Sequence, residues 1–91
     1  MSYRVFKYPI ERHGPTILRV PQKSAILSVG AQLEGVVLWI MVDPDQPEVL
    51  RDIEAYFTGE EIFQPDIPIS FIGTVTYSGL VSHIFERGDY K

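Results

Sequence analysis

The sequence predicts a mainly β fold: a small antiparallel sandwich or partly open barrel of six to seven strands, with at most one short helix around 46–57. Three observations carry this. Short β-forming runs recur along the chain, separated by Gly or Pro, as in small sandwiches and barrels. Val36-Val37-Leu38-Trp39-Ile40-Met41-Val42 is an unbroken apolar run, opened by Glu34-Gly35 and closed by Asp43-Pro44. Such a run reads as a strand covered on both faces rather than one with a wet side. Glu34-Gly35 and Ser78-Gly79 each supply a two-residue turn between apolar runs.

The strands are expected near Tyr3 to Pro9, Thr16 to Val20, Ala25 to Leu33, Val36 to Val42, Leu50 to Thr58, Ile69 to Tyr77 and Leu80 to Glu86. If Glu34-Gly35 is the loop of the first hairpin, Leu33 pairs with Val36 and the register follows. One face then carries Leu33, Ala31, Val29 and Leu27 against Val36, Leu38, Ile40 and Val42, and reads as core. The other carries Gln32, Gly30 and Ser28 against Val37, Trp39 and Met41, with the Trp39 ring over Gly30, a compensation for strand glycine. That half-polar, half-apolar face reads as an interface or shallow pocket, or as a surface covered by another segment of the chain.

In the second hairpin Tyr77 pairs with Leu80. Phe71, Val75, Tyr77, Leu80 and Ile84 form its core face, and Ile72, Thr74, Thr76, Val81, His83 and Phe85 the other, with His83 across from Thr74. From Asp45 to Gly59 two readings stand. Val49, Leu50, Ile53, Tyr56 and Phe57 fit helical spacing, with Asp45 as cap and Gly59 as stop. Ile53, Ala55 and Phe57 fit strand alternation.

The chain has 91 residues and no Cys, and reads as a single β-rich domain, 1–91. A domain this small buries only about 60–65% of its unfolded surface. Without Cys, neither a disulfide nor a thiolate metal site can help. No basic stretch followed by an apolar one opens the sequence, so no secretory signal is expected. No apolar run approaches the ~20 residues of a membrane-spanning helix. The formal charge is -4 and the cations are scattered, which disfavours a phosphate backbone as partner.

The ordered set Lys7-Tyr8-Pro9-Ile10, Val20-Pro21, Ala25-Ile26-Leu27-Ser28-Val29, Leu38-Trp39, Val42-Asp43-Pro44, Thr58-Gly59, Ile72-Gly73-Thr74 and His83-Ile84-Phe85-Glu86 spans nearly the whole chain. In it the chain resembles a family of small proteins of unknown function encoded by phages and prophages. The resemblance implies a phage or prophage accessory setting and a strand over Leu50 to Thr58. It brings no catalytic residues. Similar sequences often follow the Thr-Gly pair with His-Pro, where this chain has Glu60-Glu61.

Asp43, Asp45 and Glu48 share one loop, as ligands of a hard cation would. Pro44 and Pro47 stiffen that loop, and turn or capping roles account for its aspartates without metal. His13 sits in a Gly-Pro loop, and His83 lies among Thr74, Thr76 and Glu86. A general base needs a partner within hydrogen-bond reach, and none is evident for either histidine. Glu60, Glu61 and Asp66 form an acidic loop restricted by Pro65 and Pro68, which reads as solvated or as a surface that steers a basic partner.

The expected function is non-catalytic binding, with no metal and no cofactor. The chain is expected to be an accessory protein that binds a bacterial host protein or itself, as a homo-oligomer, through Val37, Trp39 and Met41, with Glu60 and Glu61 nearby. Its expected place is the cytoplasm, that of the host cell if phage-encoded. A second expectation is a small-ligand protein whose two layers, carrying Thr74, Thr76, His83 and Trp39, enclose a nucleotide-like molecule. A third is a minor virion or assembly protein. Neither nucleic acid nor membrane is an expected partner.

Overall fold

Alternating apolar positions resolve into two stacked antiparallel sheets in a computed structural model, which describes residues 2–63 and 68–88. The strands are β1 (Arg4–Ile10), β2 (Gly14–Pro21), β3 (Ala25–Gln32), β4 (Gly35–Val42), β5 (Glu48–Phe57), β6 (Ile69–Tyr77) and β7 (Leu80–Arg87). Sheet A has the order β1-β4-β3 and sheet B the order β2-β5-β7-β6, so the sheets form a sandwich and do not close into a barrel. No helix occurs among the described residues.

The inward side chains of β4, Val36, Leu38, Ile40 and Val42, are at most 2% exposed and meet Leu18, Val20, Ile53, Ala55, Val75 and Ile84 of sheet B. The segment with two readings is a strand: β5 lies between β2 and β7, and ladder pairing on both sides outweighs the helical spacing. Asp43 holds the β4–β5 turn as a capping aspartate. Its Oδ1 accepts from the Asp45 amide at 3.1 Å and its Oδ2 from the Gln46 side chain at 3.3 Å.

A displaced turn and two β-bulges correct the expected registers. The first hairpin turns on Leu33-Glu34, so Gln32 pairs with Gly35 and the ladder moves by two residues. Leu27 is then extra: Ile26 pairs with Ile40 and Ser28 with Trp39. Two residues opposing one push the first of them out of the ladder, so Leu27 is 52% exposed rather than core, and Leu33 at the turn is 101% exposed. In the second hairpin Tyr77 pairs with Leu80 as expected, but Ile72 is extra. Ile72 therefore packs on the core, while Phe71 swings outward beside Phe85, with ring centroids 5.4 Å apart. Leu80, also expected in the core, stays exposed next to the turn.

All four sheet edges carry a device that discourages further pairing. β1 has Lys7 and Pro9, β2 has Pro15, Arg19 and Pro21, β3 has its bulge at Leu27, and β6 has its bulge at Ile72, beside Gly73.

A polar network lies inside the sandwich. Arg51 on β5 donates to Glu86 on β7 through two bonds of 2.5 and 2.6 Å, and to the hydroxyl and carbonyl of Ser24 at 3.0 and 3.1 Å. Arg51, Glu86 and Ser24 are all buried. The guanidinium thereby ties two strands of sheet B to the β2–β3 turn.

Candidate functional site

Paired residues share a face, so the outer face of sheet A follows from the ladders. It carries Val5, Lys7 and Pro9 of β1, Val37, Trp39 and Met41 of β4, and Ala25, Ser28, Gly30 and Gln32 of β3. Val37, Trp39 and Met41, expected together, are together. Trp39 stands opposite Ser28 and reaches diagonally over Gly30, where a Cβ would lie 2.6 Å from its Cζ3. Gly30 is the cross-strand neighbour of Val37, so the ring also shields Val37, which is fully buried despite facing outward. Trp39 and Met41 stay half-buried; Val5, opposite Met41, is 53% exposed, and the bulge residue Leu27 is 52% exposed. Lys7 donates to Glu34 at 2.6 Å, a bond that draws the Glu34 carboxyl below its ordinary pKa. The connections that reach sheet A, residues 11–13, 22–24, 33–34 and 43–47, are short and turn at the strand ends, so none crosses this face.

The outer face of sheet B is built differently. Its rows across the strands read Ile69–Arg87–Asp52–Ile17, Phe71–Phe85–Glu54–Pro15 and Thr74–His83–Tyr56. His83 lies opposite Thr74 as expected. Its Nδ1 is 3.0 Å from the Thr74 hydroxyl and its Nε2 is 2.7 Å from that of Thr58. Hydroxyls donate or accept, so both ring nitrogens are satisfied in either tautomer. Because β5 and β6 both run antiparallel to β7, the end of β5 and the start of β6 lie at opposite ends of this sheet. Arg87 donates to the Phe63 carbonyl at 3.1 Å, which holds Phe63 on the outer side.

At the centre of this face is a charged cluster that the sequence reading missed. Arg87 Nε donates to both oxygens of Glu54 at 2.9 Å and its Nη2 to the Tyr56 hydroxyl at 3.0 Å; Tyr56 in turn donates to Glu54. Burial works to raise the Glu54 pKa, but the bonds from Tyr56 and Arg87 outweigh it and the carboxyl titrates below its ordinary value. Asp52, two residues along on the same face, is displaced the other way, by burial first and by the Glu54 charge second. Its Oδ1 is buried and has no hydrogen-bond partner among the described residues. A signal was present in the sequence: Asp52, Glu54 and Tyr56 alternate along one strand.

The acidic loop is a third place. Glu60 accepts from His13 Nε2 at 2.8 Å and from the Phe57 amide at 2.9 Å, and both bonds lower its pKa. The His13 ring stacks on Phe57, centroids 4.4 Å apart. Beside this pair a cleft of about 200 Å³ is lined by His13, Pro15, Glu54, Tyr56 and Glu60. Glu61 is exposed, and Asp66 and Pro65 lie outside the described residues. The expected site residues therefore do not form one site. Trp39 and His83 face away from each other on opposite sides of the sandwich, so no cavity is shared by Thr74, Thr76, His83 and Trp39.

A family model described as a domain of unknown function, DUF7352, matches residues 1–91. The chain belongs to this family. No curated protein and no solved structure matches it. For the DUF7352 domain, then, the geometry of its faces is the ground on which a function can be argued.

Proposed function

We propose that this DUF7352 domain is a non-catalytic binding protein that docks a protein partner on the outer face of sheet A around Trp39. One observation carries the reading: a half-buried Trp39 on a face where Val5 is exposed, with the bulge residue Leu27 exposed on the edge strand, and which none of the described connections to sheet A crosses. Trp is enriched at the energetic centres of interfaces. The second sheet's outer face, by contrast, has Glu54 and Arg87 paired with each other and Phe63 of the β5–β6 connection bonded to Arg87. The resemblance to small phage and prophage proteins favours an accessory role inside a bacterial cell, with a bacterial protein or a second copy as partner.

The test is native mass spectrometry of tagged protein drawn from bacterial lysate, for the wild type and for Val5→Glu combined with Leu27→Glu. Both positions are exposed, so the variant should keep its circular dichroism spectrum and melting temperature. The reading predicts an associated chain in the wild type that is lost in the variant. An associated chain that persists in the variant places docking elsewhere and overturns it.

A further inference from the structure

We propose that the occupant of the sheet A face is a second copy of this chain, packed face to face across a two-fold axis close to Trp39; this rests on the reading of that face as a docking surface. The charge distribution is the first argument. The protein carries a net charge of -4, yet the outer positions of sheet A and its hairpin turn hold only Lys7 and Glu34, bonded to each other. A strongly basic or acidic partner would find no complement there. A two-fold contact lays a patch upon itself, so a patch of one sign would repel. This patch is neutral and apolar at its centre, and Lys7 of each copy can meet Glu34 of the other.

The edges supply the second argument. Each edge strand is blunted by proline, charge or a bulge, which leaves stacking of faces as the mode of self-association the fold does not oppose. Area sets the strength. Three strands of about eight residues, ~4.8 Å apart and rising ~3.3 Å per residue, present a flat area of about 380 Å². A stable dimer commonly buries about 800 Å² per partner. The contact is therefore small, and the dimer is reversible, with dissociation in the range of roughly 1–100 μM.

The test is sedimentation equilibrium of the full chain over a dilution series from about 1 mM to 1 μM, a span that brackets that range. The expected result is a mass that rises from 10.4 kDa towards twice that value with concentration. Lys7→Glu, which makes the face acidic on both copies, should weaken association about tenfold or more, and Lys7→Glu with Glu34→Lys should restore it. Circular dichroism confirms that each variant is folded. A monomer at every concentration overturns the proposal, as does a dimer indifferent to both substitutions. The docking face itself is judged separately: a bacterial protein bound by the wild type and lost in Val5→Glu with Leu27→Glu would uphold that face while the second copy fails.

Discussion

The ring of Trp39 occupies the space that a side chain on Gly30 would need: a Cβ there would lie 2.6 Å from Cζ3 and 2.9 Å from Cη2 of the indole. In an ordinary strand, replacing Gly with Ala stabilises by about 0.5–1 kcal/mol through lost backbone entropy. Here the methyl must lift the ring from Gly30 and uncover Val37. Gly30→Ala should therefore destabilise by about 1–3 kcal/mol, the usual cost of overpacking. Urea unfolding gives the sign, and the emission of the sole Trp should shift to the red.

Gly73 tests the contact between the sheets. A Cβ there would lie 2.7 Å from Cγ1 of Val29 on β3. Gly73→Ala should cost about 1–3 kcal/mol alone, and less when Val29→Ala is added. A double-mutant cycle from denaturant melts measures that coupling.

The Arg51–Glu86 pair predicts a large asymmetry. Glu86→Gln or Arg51→Ala leaves one buried charge without its partner and should cost about 3–5 kcal/mol. Replacing both with apolar residues of similar size should cost much less, because neither desolvation penalty remains. Chemical denaturation of the three variants checks this.

Asp52 predicts a pH dependence. Its folded-state pKa is raised, so above the ordinary carboxylate range the native state holds more protons than the unfolded state. That group alone makes stability fall as pH rises from about 4 to its raised value. Glu54 is displaced downward and acts oppositely: its contribution is present above the ordinary value and is lost as pH falls through its lowered one. Asp52→Asn removes the first effect and relieves the repulsion with Glu54. Melting curves should show the variant and wild type diverging as pH rises above about 4, with the variant more stable near neutrality by about 1 kcal/mol, or roughly 4–8 °C at this size.

The strands were legible because local signals sufficed for them. Turn residues at Ser78-Gly79 and alternation from Ile69 to Tyr77 needed no knowledge of distant chain. His83 opposite Thr74 followed from counting across a turn. Counting from Glu34-Gly35 set Trp39 opposite Gly30, but the turn falls at Leu33-Glu34 and the ladder pairs Trp39 with Ser28, so its ring reaches Gly30 diagonally. What failed was counting past an irregularity. An extra residue at Leu27 or Ile72 exchanges inside for outside, and neither residue type announces a bulge. The assignment of strands to sheets was also hidden, and with it the separation of Trp39 from His83 by the thickness of the sandwich. Arg51 and Glu86 stand 35 positions apart, and Glu54 and Arg87 stand 33 apart. Long-range pairings of that kind are made by topology, and spacing along the chain carries no trace of them.

Association through the Trp39 face would bury the sole Trp, which reports on it directly. Acrylamide quenching of its fluorescence, measured on the same protein in associated and dissociated form, is the decisive measurement. Burial in the contact should leave Trp39 blue-shifted and poorly quenched in the associated form, with easier quenching on dissociation. Quenching that is identical in the two forms would mean that the partner sits on some other surface and that the Trp39 face is not the docking site.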